Sequence, residues 1–164
     1  SVFVYESNAH RVAVESAQSA SLVTEACDQH IATLAANAPP QVLSSDRHTV
    51  KPWFQGRIPF SFNLPENLPA DTRLEGANLT YLHNQPAALL LYSIGKHRAS
   101  IFVLQNANAT ISTWPSTDHA GFHVTGFTTA DLQVFAVSDV DPARLSNLVN
   151  LIEQVQDGVK QQAN

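Results

Sequence analysis

Small and apolar positions recur every three or four residues in the first part of this chain, then every second residue, then every three or four again. Residues 7–36 contain no Pro or Gly, and the first stripe runs Ala9, Val12, Ser16, Ala20, Val23, Cys27, Ile31 and Leu34. That spacing predicts one long helix. Ser7 or Asn8 can cap its start, and Asn37-Ala38-Pro39-Pro40 ends it. Beyond residue 57, Ile58, Phe60, Phe62 and Leu64 alternate with Pro59, Ser61 and Asn63. The pattern predicts a half-buried strand, at an edge because Pro59 has no N–H to donate. Residues 77–82 and 87–94 read as two strands around the turn His83-Asn84-Gln85-Pro86, and the second is apolar along nearly its whole length. Such a run is expected to be buried on both faces. Gly95-Lys96-His97-Arg98 connects it to a strand over 100–104.

Further on, a turn over 106–109, a short strand over 110–114 and a last hairpin of 122–127 with 132–137 complete the predicted sheet. Asp141 before Pro142 is a helix start. Leu145, Leu148, Val149, Ile152 and Val155 repeat at helical spacing, and Gly158 is placed to stop the helix. The expected fold is a single α+β domain. It comprises a long N-terminal helix (1–36), an anchored loop (37–57), an antiparallel sheet of six or seven strands (58–138) and a C-terminal helix (141–158).

Composition narrows the function classes. With 44% apolar and 14% charged residues over 164 positions, the chain has the make-up of a folded domain. Its net charge of −5 comes without a basic run, which argues against nucleic acid as a partner, because binding there rests on Lys and Arg neutralising phosphates. The single cysteine, Cys27, excludes an internal disulfide and a multi-cysteine zinc site. No apolar run reaches the roughly 18–20 residues of a membrane span, and no signal peptide pattern is present. The chain lacks methionine altogether, position 1 included, so a fragment or processed form is expected.

The densest chemistry lies between Ser44 and Arg57. Asp46, Arg47, His48, Lys51 and Trp53 stand there as candidate ligand- or partner-binding residues. Pro52 is expected to push Lys51 into an extended conformation, Trp53 and Phe54 to pin the loop to the core, and Gly56 to permit a turn. Two roles are open to the charged groups. Asp46 can cap the following turn while His48 and Lys51 brace the loop, or the same side chains can form a recognition surface. His30 and His97 are weaker candidates, and with His48 and Asp46 they could converge on a metal. His119 and His123 share a spacing of four but lack a carboxylate at ligand spacing. No metal and no cofactor are expected. Ser44, Ser45, Asp46 and His48 include triad residue types, yet one short loop cannot hold nucleophile, base and orienter in position. No nucleophile elbow, phosphate loop or His-Glu-x-x-His occurs. No catalytic residue is assigned, and the expected function is non-enzymatic.

The run Asp46-Arg47-His48-Thr49-Val50-Lys51-Pro52-Trp53-Phe54, followed by Gly56-Arg57, resembles the extracytoplasmic part of membrane-anchored bacterial anti-sigma factors. Counterparts continue at His30-Ile31, at Leu74-Glu75-Gly76-Ala77-Asn78-Leu79-Thr80-Tyr81-Leu82, at Pro86-Ala87-Ala88-Leu89, at His97 before Ile101-Phe102-Val103, and at Ala136-Val137-Ser138-Asp139. The chain departs from that family in having no zinc-binding Cys/His segment and no membrane span. The resemblance implies a sensor or regulatory domain in the periplasm, membrane-anchored in the full-length protein through a helix upstream. Its partner would be an envelope protein or a small ligand. The sigma factor would be bound only by a cytoplasmic segment absent here, and the first helix suits a homodimer. The alternative is a self-contained periplasmic ligand- or metal-binding module.

Overall fold

Tight turns lay out the sheet. In the computed structural model, which describes residues 20–106 and 117–163, helix α1 covers residues 20–36. It is followed by β1 (Val42–Leu43), α2 (Arg47–Trp53), β2 (Thr72–Leu82), β3 (Gln85–Ile94) and β4 (His97–Gln105). After these come β5 (Thr117–His119), β6 (Phe122–Thr128), β7 (Leu132–Ser138) and α3 (Pro142–Ala163). His83 and Asn84 both take positive φ, 49° and 62°, between the paired residues Leu82 and Gln85. That is the two-residue turn whose twist matches its flanking strands. Ala120 and Gly121 repeat it between β5 and β6, and Gly95, with φ 60°, opens the turn between Ile94 and His97.

The seven strands are ordered β1-β2-β3-β4-β7-β6-β5, every neighbouring pair antiparallel. Both faces of the sheet are covered. On one, Leu90, Tyr92, Ile101, Val103, Val134 and Ala136 pack with Leu145, Leu148 and Ile152 of α3 and with Val50 and Phe54 of the α2 region. On the other, Leu89, Phe102, Phe135 and Val137 meet Leu22, Val23, Ala26 and Cys27 of α1. The continuous apolar run of β3 is explained by these two cores. A bulge keeps β2 in register with them. The pairing shifts between Leu74 and Gly76, so Leu74 and Ala77 reach the same core although three positions separate them.

At Gly126 the backbones come too close for a side chain. A Cβ there would lie 2.2 Å from the Val134 carbonyl oxygen and 2.8 Å from Phe135 Cα. Gly126→Ala is therefore expected to cost about 1–3 kcal/mol of stability. Urea unfolding measures it, and an unchanged midpoint would contradict the close approach.

The structure departs from the sequence expectation in several places. Ile58 to Leu64 is not a strand: apart from a single bridge from Gln55 to Ile58 it runs irregularly. Pro59 and Pro65 remove donors from its ends, and the strand paired to the β2 edge is β1. Phe62 and Leu64 are still buried, so the segment serves the core without joining the ladder. The expected loop over 37–57 holds β1 and α2, and Lys51 is helical rather than extended. Within α1 the buried positions are Leu22, Val23, Ala26, Cys27 and His30, whereas Ile31 and Leu34 of the expected stripe are exposed. Helix α3 runs through Gly158. The expected helix over 7–19, the turn at 107–109 and the strand at 110–114 lie outside the described residues, as does any dimer contact they would make. No helix among the described residues is long and apolar enough to cross a membrane.

Candidate functional site

Local sequence chemistry builds the α2 corner. Asp46 has extended backbone and accepts a bond from the His48 N–H at 2.9 Å through its side chain. It is thus the N-cap of α2. Ser44 Oγ in turn accepts from the Asp46 N–H at 3.0 Å. The serine and the acid are engaged with backbone groups, and their hydrogen-bond acceptance fixes the start of the helix. Pro52 sits in the last turn, where its missing N–H forfeits one helical bond only. Phe54 is buried at the helix end, edge-on to Trp53 at 4.9 Å and to Phe62 at 5.5 Å. Trp53 is partly buried against the same core, and the Arg57 guanidinium lies 4.6 Å from its ring centre. Arg57 also donates to the Trp53 carbonyl.

The other candidates at this corner are distributed rather than convergent. Arg47 pairs with Glu66 at 3.2 Å. Lys51 donates to Asn63 Oδ1. His48 is exposed and lines a cleft with Arg47, Pro65 and Glu66. Four of the five residues singled out in the sequence therefore share one short helix, with Asp46 as its cap, but they do not converge on a common partner.

His30 and His97 belong elsewhere. His30 projects from α1 onto the sheet and is 1% exposed. Its Nδ1 is 2.6 Å from Ser100 Oγ, Phe122 meets the ring edge-on at 5.1 Å, and Nε2 has no partner among the described residues. Burial pulls its pKa down to about 4, with the Asp139 charge opposing and the Arg98 charge assisting. His97 is paired with Asp139 at 3.0 Å. Both imidazoles line one cavity of about 510 Å³, bounded by the end of α1, residues 37–40, Leu43 of β1 and the turn between β3 and β4. His48 is not among its lining residues. Nor do His119 and His123 act as a pair, because they stand on different strands and His123 bonds Asp118 instead. Among the described residues no three His, Cys, Asp or Glu side chains are placed to hold a metal ion.

Sequence reasoning missed the rest of the cavity: Arg73, Glu75, Lys96, Arg98 and Ser100. The signal for Glu75 was its place before a glycine in a strand, where a bulge pushes one residue out of the ladder. Cys27, in the α1 core, has its thiol pushed up to about 11 by burial and by the neighbouring Asp28 charge, which keeps it protonated and unreactive at neutral pH.

No protein-family model matches the chain, and no curated protein matches it. Among solved structures the chain is similar to MucB in a crystal structure of MucB in complex with MucA(peri), at 19% identity and TM-score 0.43, over 52% of this chain and 34% of that one. It is also similar to a chain in the Pseudomonas aeruginosa MucA/MucB complex, at 20% identity and TM-score 0.42, over 52% of this chain and 32% of that one. The likeness thus spans about a third of the length of the solved chains it matches.

Proposed function

We propose that the chain is the extracytoplasmic regulatory domain of a membrane-anchored anti-sigma factor, a non-enzymatic lobe that responds to the state of the cell envelope. The observation that carries this reading is the stretch from Asp46 to Arg57. Its residue pattern resembles that family, and it folds as one unit: a capped helix, an aromatic pin and a cation over the indole. Such an element is fixed in place by its own side chains, which suits a surface that a partner reads. In this reading the sigma factor is held by a cytoplasmic segment outside this chain, and a signal acts by preferring one state of the lobe over another.

Two measurements test the reading together. The coding sequence upstream of Ser1 is expected to contain an apolar run of about 20 residues. In the bacterium, removing this domain from the full-length gene is expected to alter the response of a sigma-dependent reporter to envelope stress, while the cytoplasmic segment still binds sigma. A polar domain upstream, or an unchanged reporter response, would overturn it.

A second reading, a self-contained periplasmic ligand-binding module, is favoured by the cavity beside His30 and His97. It predicts no membrane segment upstream, so the same coding sequence separates it from the first.

A further inference from the structure

The cavity between α1, β1 and the β3–β4 turn has a lining of two kinds. Part of it is apolar, with Leu34, Leu43 and Leu91 among its residues. Leu34 is 38% exposed and Leu43 72% exposed. Folding has left these two side chains beside a concavity instead of covering them.

The lining also carries Lys96 and Arg98. Five other cations have described side chains, and each has a partner. Arg47 pairs with Glu66, Arg73 with Glu75 and Arg144 with Asp71, while Lys51 bonds Asn63 and Arg57 bonds the Trp53 carbonyl. The side chains of Lys96 and Arg98 make no ion pair or hydrogen bond among the described residues; the Arg98 carbonyl accepts from the Ser138 hydroxyl. In a chain of net charge −5, two cations at one cavity with no side-chain partner among the described residues stand out. The single carboxylate of the lining, Glu75, is already engaged by Arg73 at 3.2 Å and by the Ser93 hydroxyl at 2.8 Å. The His30 ring adds a third observation, a buried Nε2 with no partner among the described residues. A buried polar atom left in that state costs about 1–3 kcal/mol.

We propose that this cavity binds a small anionic amphiphile. A carboxylate or phosphate head is held by the Lys96 ammonium and the Arg98 guanidinium, the latter able to take two oxygens at once. The apolar chain lies along Leu34, Leu43 and Leu91, and a polar atom of the ligand can supply the bond that His30 lacks. The volume of about 510 Å³ is within the range of small-ligand pockets. This inference does not rest on the regulatory reading, because binding is a property of the domain whatever precedes it in the chain.

The test is isothermal titration of the full chain with decanoate below its micelle concentration, alongside decanol as the uncharged equivalent. Decanoate is expected to bind at least about tenfold more tightly than decanol. The double substitution Lys96→Ala/Arg98→Ala should weaken decanoate binding by about tenfold or more and leave decanol unchanged. Leu43→Ser should weaken both ligands. All three side chains are exposed, so the fold is expected to survive these changes.

A second arm separates the sources of the anion. Sedimentation with phosphatidylglycerol vesicles, competed by decanoate, would assign the head group to a lipid. Decanoate binding without vesicle binding would assign it to a free acid. Either result supports the site. No decanoate binding, equal affinity for decanol, or binding indifferent to the Lys96/Arg98 substitution would overturn it. So would vesicle binding that decanoate cannot displace. Those outcomes leave the upstream-sequence and reporter tests untouched.

Discussion

Phe102→Ala is expected to lower the unfolding free energy by about 3–5 kcal/mol. Phe102 sits at the middle of β4, fully buried, with its ring stacked on Phe135 at 5.3 Å and an angle of 18°. It shares its core with Leu89, Leu104 and the α1 side chains Val23, Ala26 and Cys27. Several of those core residues are small, and the β3 and β7 backbones are locked in ladders on both sides of β4. The site therefore has little with which to fill the space left by a ring. Urea unfolding followed by far-UV circular dichroism measures the change. Phe102→Leu, which keeps most of the volume, is expected to cost less than about 1.5 kcal/mol. A Phe102→Ala loss of under about 1 kcal/mol would mean that α1 is not packed on the sheet as described.

Acid is expected to destabilise the fold through His30 in a defined window. In the unfolded chain its imidazole has the ordinary pKa of about 6.5, while burial in the native state lowers it to about 4. Between those values the unfolded chain holds a proton that the native state does not, so stability falls as pH falls. The full contribution of neutral His30 is present above pH 6.5, is lost progressively towards pH 4, and changes no further below that. At about 1.4 kcal/mol for each factor of ten, the total is about 3 kcal/mol. Asp139, whose charge favours the imidazolium, and Arg98, whose charge opposes it, are the charged groups acting on this ring. Unfolding curves at pH 7, 5.5 and 4.5 should show the slope in the native sequence and a flatter one in His30→Gln. Parallel slopes in the two proteins would exclude His30 as the source.

The architecture was legible wherever one physical signal dominated. The β3 run is buried on both faces because its apolar content allowed nothing else. The turn at His83-Asn84 and the Asp141-Pro142 helix start follow from residues with strong local preferences. Helix α2 was hidden because seven residues carry little helical signal of their own, and Pro52 argued for the opposite conformation. Its stability comes from the Asp46 cap and from burial of Val50, with Phe54 buried just beyond its end, the last two of which depend on tertiary contact. The Ile58–Leu64 alternation misled because burial of Phe62 and Leu64 produces that pattern with or without a ladder. At the candidate sites, the sequence singled out His30 and His97, which share a cavity, and grouped His48 with them, which the fold separates. Lys96 and Arg98 gave no sign, since what distinguishes them is the absence of described partners, and that is visible only in three dimensions.

The strand order has a consequence for how the chain is made. β4 gains its second neighbour only when β7 arrives, with Gln105 waiting for Leu132. A ribosome that has delivered the chain as far as Gln105 has therefore released a nascent sheet whose β4 border, central in the finished fold, is unpaired and which has no α3 to cover its underside. Such a border will accept any passing strand. Products that stop short of residue 132 should accumulate as insoluble material, and the intact domain should need a holding chaperone during synthesis more than after it.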